Sequence, residues 1–83
     1  MKIIKELCEY IEDEIHDAEK YIKHALEVRD EYPEIAEMMN LLSAEEMKHM
    51  QMLHNQVVKT IENYRKTMGE PPKEMLAVYD YLH

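Results

Sequence analysis

The chain is nearly devoid of glycine, with one in 83 residues. Tight hairpin turns lean on residues that reach positive φ, glycine above all, so a meandering β architecture is not expected. Cysteine is as scarce. The single Cys8 excludes an intrachain disulfide framework and any cysteine-based zinc ribbon or finger. Proline occurs only at 33, 71 and 72, so nothing breaks residues 1–32. Trp and Phe are missing altogether. No stretch approaches the ~18 consecutive apolar residues of a membrane span. The opening MKIIKELCEYIEDE turns acidic too early for a secretory signal, and a cytoplasmic protein is expected. Basic residues are in deficit, 10 against 18 acidic ones, for a formal charge of −8 with His neutral. Nucleic-acid binding needs clustered Lys and Arg to neutralise phosphate, so that class of partner is not expected. An acidic surplus suits cation binding as well as plain solubility.

What remains is a folding composition, 46% hydrophobic and 34% charged, with eight Met, and it is sized for one domain. The breakers at Pro33 and at Met68-Gly69-Glu70-Pro71-Pro72 divide it into a helix of about residues 3–30, a second of about 34–67, and a short third of about 72–82. In the first, Ile4, Leu7, Ile11, Glu14, Ala18, Tyr21, Ala25 and Val28 recur in alternating steps of three and four, the stripe of a packed helix. Ile15 and Ile22 widen that face. In the second, Ile35, Met39, Leu42, Glu46, His49, Leu53, Val57, Ile61, Tyr64 and Met68 do the same, with one slip near Val57. Met75, Val78, Tyr79 and Leu82 line the third. Pro33 suits a first helical turn and pushes Tyr32 out of the α region. Gly69 suits the position just past a helix end. The short connection makes the long helices antiparallel neighbours. At ~1.5 Å per residue they run roughly 40 and 50 Å, too long for their apolar faces to be covered by each other and a short tail. The expected fold is all-α: an antiparallel two-helix hairpin plus a short C-terminal helix, dimerising into a four-helix bundle.

The polar interruptions of the stripes carry the functional reading. Glu14 takes a core position in the first helix, and Glu46 and His49 take consecutive ones in the second. A buried unpaired carboxylate costs several kcal/mol, so such groups are paired or bound to metal. Glu46 and His49 are three apart and share a helix face. Glu14 lies 18 residues before Tyr32, and Glu46 and His49 lie 13 and 16 after Pro33. The offset of a few residues amounts to ~3–8 Å along the axis. One hairpin thus offers two carboxylates and an imidazole to one region, and a two-fold dimer offers four and two. That is the ligand count of di-iron carboxylate bundles. The structural alternative is a buried Glu–His hydrogen-bond network that fixes the dimer.

Two segments bring a family into view. Glu14-Ile15-His16-Asp17-Ala18-Glu19-Lys20-Tyr21-Ile22-Lys23-His24-Ala25 resembles the first ligand helix of bacterioferritins, where a Glu is followed by Tyr seven residues on and His three further. Ser43-Ala44-Glu45-Glu46-Met47-Lys48-His49 resembles their second, Glu-x-x-His helix. Over about residues 7–65 the chain looks like a half-length member of the ferritin-like superfamily, which includes rubrerythrin. It is similar to encapsulated ferritins, whose two-helix chains dimerise around a di-iron centre. The resemblance implies Glu14 as a terminal ligand, Glu46 as a bridging carboxylate, His49 as the imidazole on each metal, and Tyr21 beside a ligand carboxylate. It implies two Fe per dimer and ferroxidase chemistry, with Fe(II) oxidised by oxygen or peroxide. Mn and Zn suit the same donors.

Other residues receive plainer readings. Met47 follows Glu46 as the haem-ligating Met does in bacterioferritin, but Met is the adaptable gap-filler of cores, and haem is not expected. Asp13, Glu45 and His54 flank the stripe as exposed charge or an entry route. His16 and His24 are placed at the surface or the dimer rim, with His24 the nearer to a supporting role by its motif match. Tyr10 and Tyr64 are read as interface aromatics, and Cys8 as a small core residue. Two function classes stay open: a di-metal redox protein working as a homodimer or higher oligomer, and a non-catalytic dimeric helical interaction module.

Overall fold

The computed structural model describes residues 2–73 and residue 76. Two helices, α1 (Lys2–Val28) and α2 (Pro33–Met68), form an antiparallel hairpin, and the described residues contain no strand. Pro33 sets the boundary between them. It forces Tyr32 into an extended backbone (φ −132°, ψ 70°) and itself opens α2, where its missing N–H is of no consequence. The Tyr32 amide donates back to the Val28 carbonyl at 2.7 Å and closes the turn. Glu34 sits in the first turn of α2 and Arg65 and Lys66 in the last, each complementing the helix dipole. Gly69 ends α2 at φ 86° with its amide on the Arg65 carbonyl at 3.2 Å. Nothing lies within 4 Å of where a Cβ would stand there, so the left-handed φ alone selects glycine.

The stripe foreseen in α1 divides in two. Ile4, Ile11, Ala18 and Ala25 are buried against α2, while Leu7, Glu14, Tyr21 and Val28 lie half-buried on one flank of that seam. In α2 the expectation needs correcting. Ile35, Met39, Leu42, Glu46, His49 and Leu53 are not the seam. They form the same flank, with Ile35 and His49 exposed. The seam of α2 is Ala36, Ser43, Met50 and Val57, joined by Ile61. The slip near Val57 is where the predicted stripe crosses from flank to seam.

The two halves of the hairpin pack differently. Near the turn only Ala18, Ala25, Ala36 and Ser43 stand between the helices, and the Ser43 hydroxyl donates to the Ala18 carbonyl at 3.0 Å. Small side chains let the backbones approach and displace the large ones sideways. Toward the far end Ile4, Cys8, Ile11, Val57 and Ile61 make an aliphatic core, with Tyr64 and Leu76 packed on it. The Leu76 amide donates to the Pro72 carbonyl at 3.3 Å. The remainder of the foreseen third helix, with Met75, Val78, Tyr79 and Leu82, lies outside the described residues. Along the flank, Ile3 and Tyr10 of α1 and Ile35, Met38 and Met52 of α2 stay exposed.

Close approach at Ser43 has a measurable consequence. Ser43→Ala is expected to cost about 1 kcal/mol, the worth of one hydrogen bond. Ser43→Leu is expected to cost about 1–3 kcal/mol or more by overpacking. Urea unfolding of both variants checks the order, and a Leu at 43 that stabilises the protein would contradict the close seam.

Candidate metal centre

Glu14 projects from the middle of α1, as the thirteenth of its 27 residues. Glu46 and His49 project from one face of α2, a turn apart. The contact between Ser43 and Ala18 sets the register. Four residues back along α1 from Ala18 is Glu14, and four residues on along α2 from Ser43 is Met47, between the two other candidates. The axial offset estimated from the sequence therefore disappears. It arose from centring the turn on Tyr32 and Pro33, whereas α1 already ends at Val28.

The three side chains meet. His49 Nδ1 lies 3.5 Å from Glu14 Oε2 and 3.8 Å from Glu46 Oε1, and one ligand atom from each falls within 4.8 Å of the others. They are not core groups of the hairpin, as the stripe had suggested. They sit on its flank, the Glu14 and Glu46 side chains 24% and 19% exposed and the His49 side chain 54%. Even so, Glu14 Oε2 is shielded from water and has no hydrogen-bond partner, a costly state for a carboxylate oxygen. The Glu46 carboxyl is pushed above its usual range. Hydrogen-bonding contact with Glu14 is the main cause, burial and the charges of Glu14 and Asp17 add to it, and His49 opposes it. Two carboxyls and a shielded oxygen without a donor form a place where a cation lowers the energy.

The donors fit a metal. Two ligands of one first-row ion, each at ~2.1 Å, stand at most ~4.2 Å apart, within a small side-chain adjustment of the spacing here. Oxygen donors with one imidazole suit Fe(II), Mn(II) and Zn(II). Beside them an open cleft of about 380 Å³ is lined by Leu7, Glu14, His49, Met52, Leu53 and Gln56.

Other candidates fall elsewhere. Tyr21 is half-buried on the same flank, two turns or ~10 Å nearer the hairpin turn than Glu14, so a single chain leaves it apart from the cluster. Met47 is exposed and points about 100° round the helix from Glu46. Asp13, His16, His24 and Glu45 are exposed, as is Tyr10. His54 is partly buried with its Nδ1 3.4 Å from the Gln51 amide. Tyr64 packs on the core. Cys8 is buried, and burial with the nearby Glu12 charge pushes its thiol up. Sequence reasoning passed over Asp17, whose charge acts on Glu46. Its signal was the spacing of three from Glu14. No helix among the described residues is long and apolar enough to cross a membrane.

The raised carboxyl has a definite sign. A group whose folded-state pKa exceeds its unfolded value stabilises the fold at low pH and loses that contribution as pH rises through the folded value. The metal-free protein should therefore lose thermal stability as pH climbs above the usual 4.5 of this carboxyl, and Glu46→Gln should flatten that part of the profile and raise the melting temperature at neutral pH. Melting curves of both proteins across pH 4–8 in chelator check this, and identical profiles would contradict it.

No protein-family model, curated protein or solved structure matches the chain, so the three side chains and their geometry carry the functional reading.

Proposed function

We propose that the protein is a di-metal carboxylate protein with ferroxidase activity, its site completed where two copies of the hairpin meet. The observation that carries this reading is the convergence of Glu14, Glu46 and His49 within 4.8 Å, with Glu14 Oε2 shielded and lacking a donor. Three donors are too few for a six-coordinate ion and leave a metal on an open flank. A second copy, related by a two-fold axis through this point, doubles the set to four carboxylates and two imidazoles. Because Glu14 is near the middle of α1, that axis lets the α1 helices of the two hairpins overlap along their full length. The overlap also covers the apolar side chains that a lone hairpin leaves in water, Ile35, Met38 and Met52 among them.

Each residue then has a task. Glu14 and Glu46 would hold the metal ions through their carboxylates and His49 through its imidazole, the donor roles that the resemblance to bacterioferritin implies. The carboxylates that repel one another in the empty site together balance the charge of two divalent ions. The apolar cleft walls limit water around the ligands and strengthen their electrostatic hold. Fe(II) is the substrate, and oxygen or peroxide takes its electrons. Mn(II) or Zn(II) would occupy the same donors.

The exposed flank also favours a second reading, a dimeric helical module without turnover. Fe(II) oxidation separates the two. The protein is expected to accelerate oxidation of anaerobically loaded Fe(II) on admission of air. Glu46→Ala and His49→Ala should each abolish that acceleration while far-ultraviolet circular dichroism and sedimentation keep a helical dimer. Acceleration at the parental rate in either variant would place the chemistry elsewhere, and none in the parent would leave the interaction module.

A further inference from the structure

Eight Met are conspicuous in 83 residues, and gap-filling in the core does not account for those in water. Among the described residues Met38, Met47, Met52 and Met68 are exposed. One of them is placed differently from the rest. Met52 stands three residues after His49 on the same face of α2. It lines the cleft that Glu14 and His49 also line, between Leu7, Leu53 and Gln56. We propose that Met52 is a trap for peroxide produced at the Glu14–Glu46–His49 cluster, its thioether being the oxidisable group stationed where that peroxide leaves. The proposal rests on the ferroxidase reading above.

The chemistry balances. Two Fe(II) each give one electron to O₂, which takes up two protons and becomes H₂O₂. A lone pair on the Met52 sulfur attacks one peroxide oxygen, the O–O bond breaks, and that oxygen stays on sulfur as the sulfoxide. The proton on the attacked oxygen passes to the other oxygen, which leaves as water. Sulfur is oxidised by two electrons and peroxide is reduced by two. Sulfoxides of this kind are reversible by reductases, so the trap can be reset.

Among the residues that line the cleft, Met52 alone carries a sulfur. Leu7, Leu53 and Gln56 do not react with peroxide. The protein's one thiol, Cys8, is 3% exposed in the aliphatic core, and its thiolate is further disfavoured by burial and by Glu12. Met68 serves as a built-in reference. Its exposure equals that of Met52, 70% for both, yet it lies 16 residues farther along α2, ~24 Å by helical rise. A partner hairpin that covers the flank shields Met52 and not the distant Met68, so peroxide from bulk solution reaches Met68 at least as readily, while peroxide born at the cluster meets Met52 first.

The test loads the full chain anaerobically with Fe(II), one ion per chain, admits air, and reads sulfoxide at Met52 and Met68 by peptide mass spectrometry while iron oxidation is followed by absorbance. The expected result is several-fold more sulfoxide at Met52 than at Met68. H₂O₂ added to metal-free protein should oxidise Met68 at least as much as Met52. Met52→Leu should release more peroxide to solution per Fe(II) oxidised. Protein-accelerated iron oxidation with equal sulfoxide at both positions overturns the trap and leaves the ferroxidase reading in place. Preference for Met52 under H₂O₂ alone also overturns it, because intrinsic reactivity then explains the selectivity. No protein-accelerated iron oxidation overturns both.

Discussion

Two carboxyl groups held against each other, with an imidazole nitrogen 3.5 and 3.8 Å from them, form the constraint on which this molecule turns. Glu14 and Glu46 come from different helices, so their approach is imposed by the packing of the whole hairpin. The approach is unfavourable in itself. It raises the Glu46 carboxyl and leaves a shielded oxygen of Glu14 without a donor. Replacing such groups with apolar ones commonly stabilises a protein. A cation held between them would relieve both costs, which is the physical basis of the proposed metal site.

The hairpin reaches this arrangement through its small residues. Ala18, Ala25, Ala36 and Ser43 bring the helices together near the turn, and the Ser43–Ala18 hydrogen bond locks the level. Four residues beyond that lock, Glu14 comes level with the stretch between Glu46 and His49. The same close seam pushes the larger side chains out along one flank. Glu14, Glu46, His49 and the apolar surface around them therefore share a cause, and the proposed dimer would use that same flank.

Much of this was legible in the sequence. The heptad steps of α1 pick out the residues that turn toward α2, though not their division into seam and flank, and the breakers at Pro33 and Gly69 place both helix ends within about two residues. The three ligand candidates stood out because charge interrupts an apolar stripe. What stayed hidden was the seam of α2. Ala36 and Ser43 contribute too little hydrophobicity to mark a face, so the eye follows Ile35, Met39 and Leu42 instead, and those lie on the flank. The same error made Glu46 and His49 seem buried when the hairpin leaves them partly in water. The role of Asp17 was hidden for a different reason: it acts through space on the other helix, and its spacing of three from Glu14 is too common on a charged helix to single it out. Tyr21 matched a motif, yet one chain does not bring it to the ligands.

The central claim is that the chain holds half of a metal site. Native mass spectrometry after anaerobic addition of Fe(II) and removal of the excess addresses it most directly. The account predicts a species of twice the chain mass carrying two metal ions, with monomers metal-free. Monomers that retain iron on their own, or dimers that retain none, would contradict it.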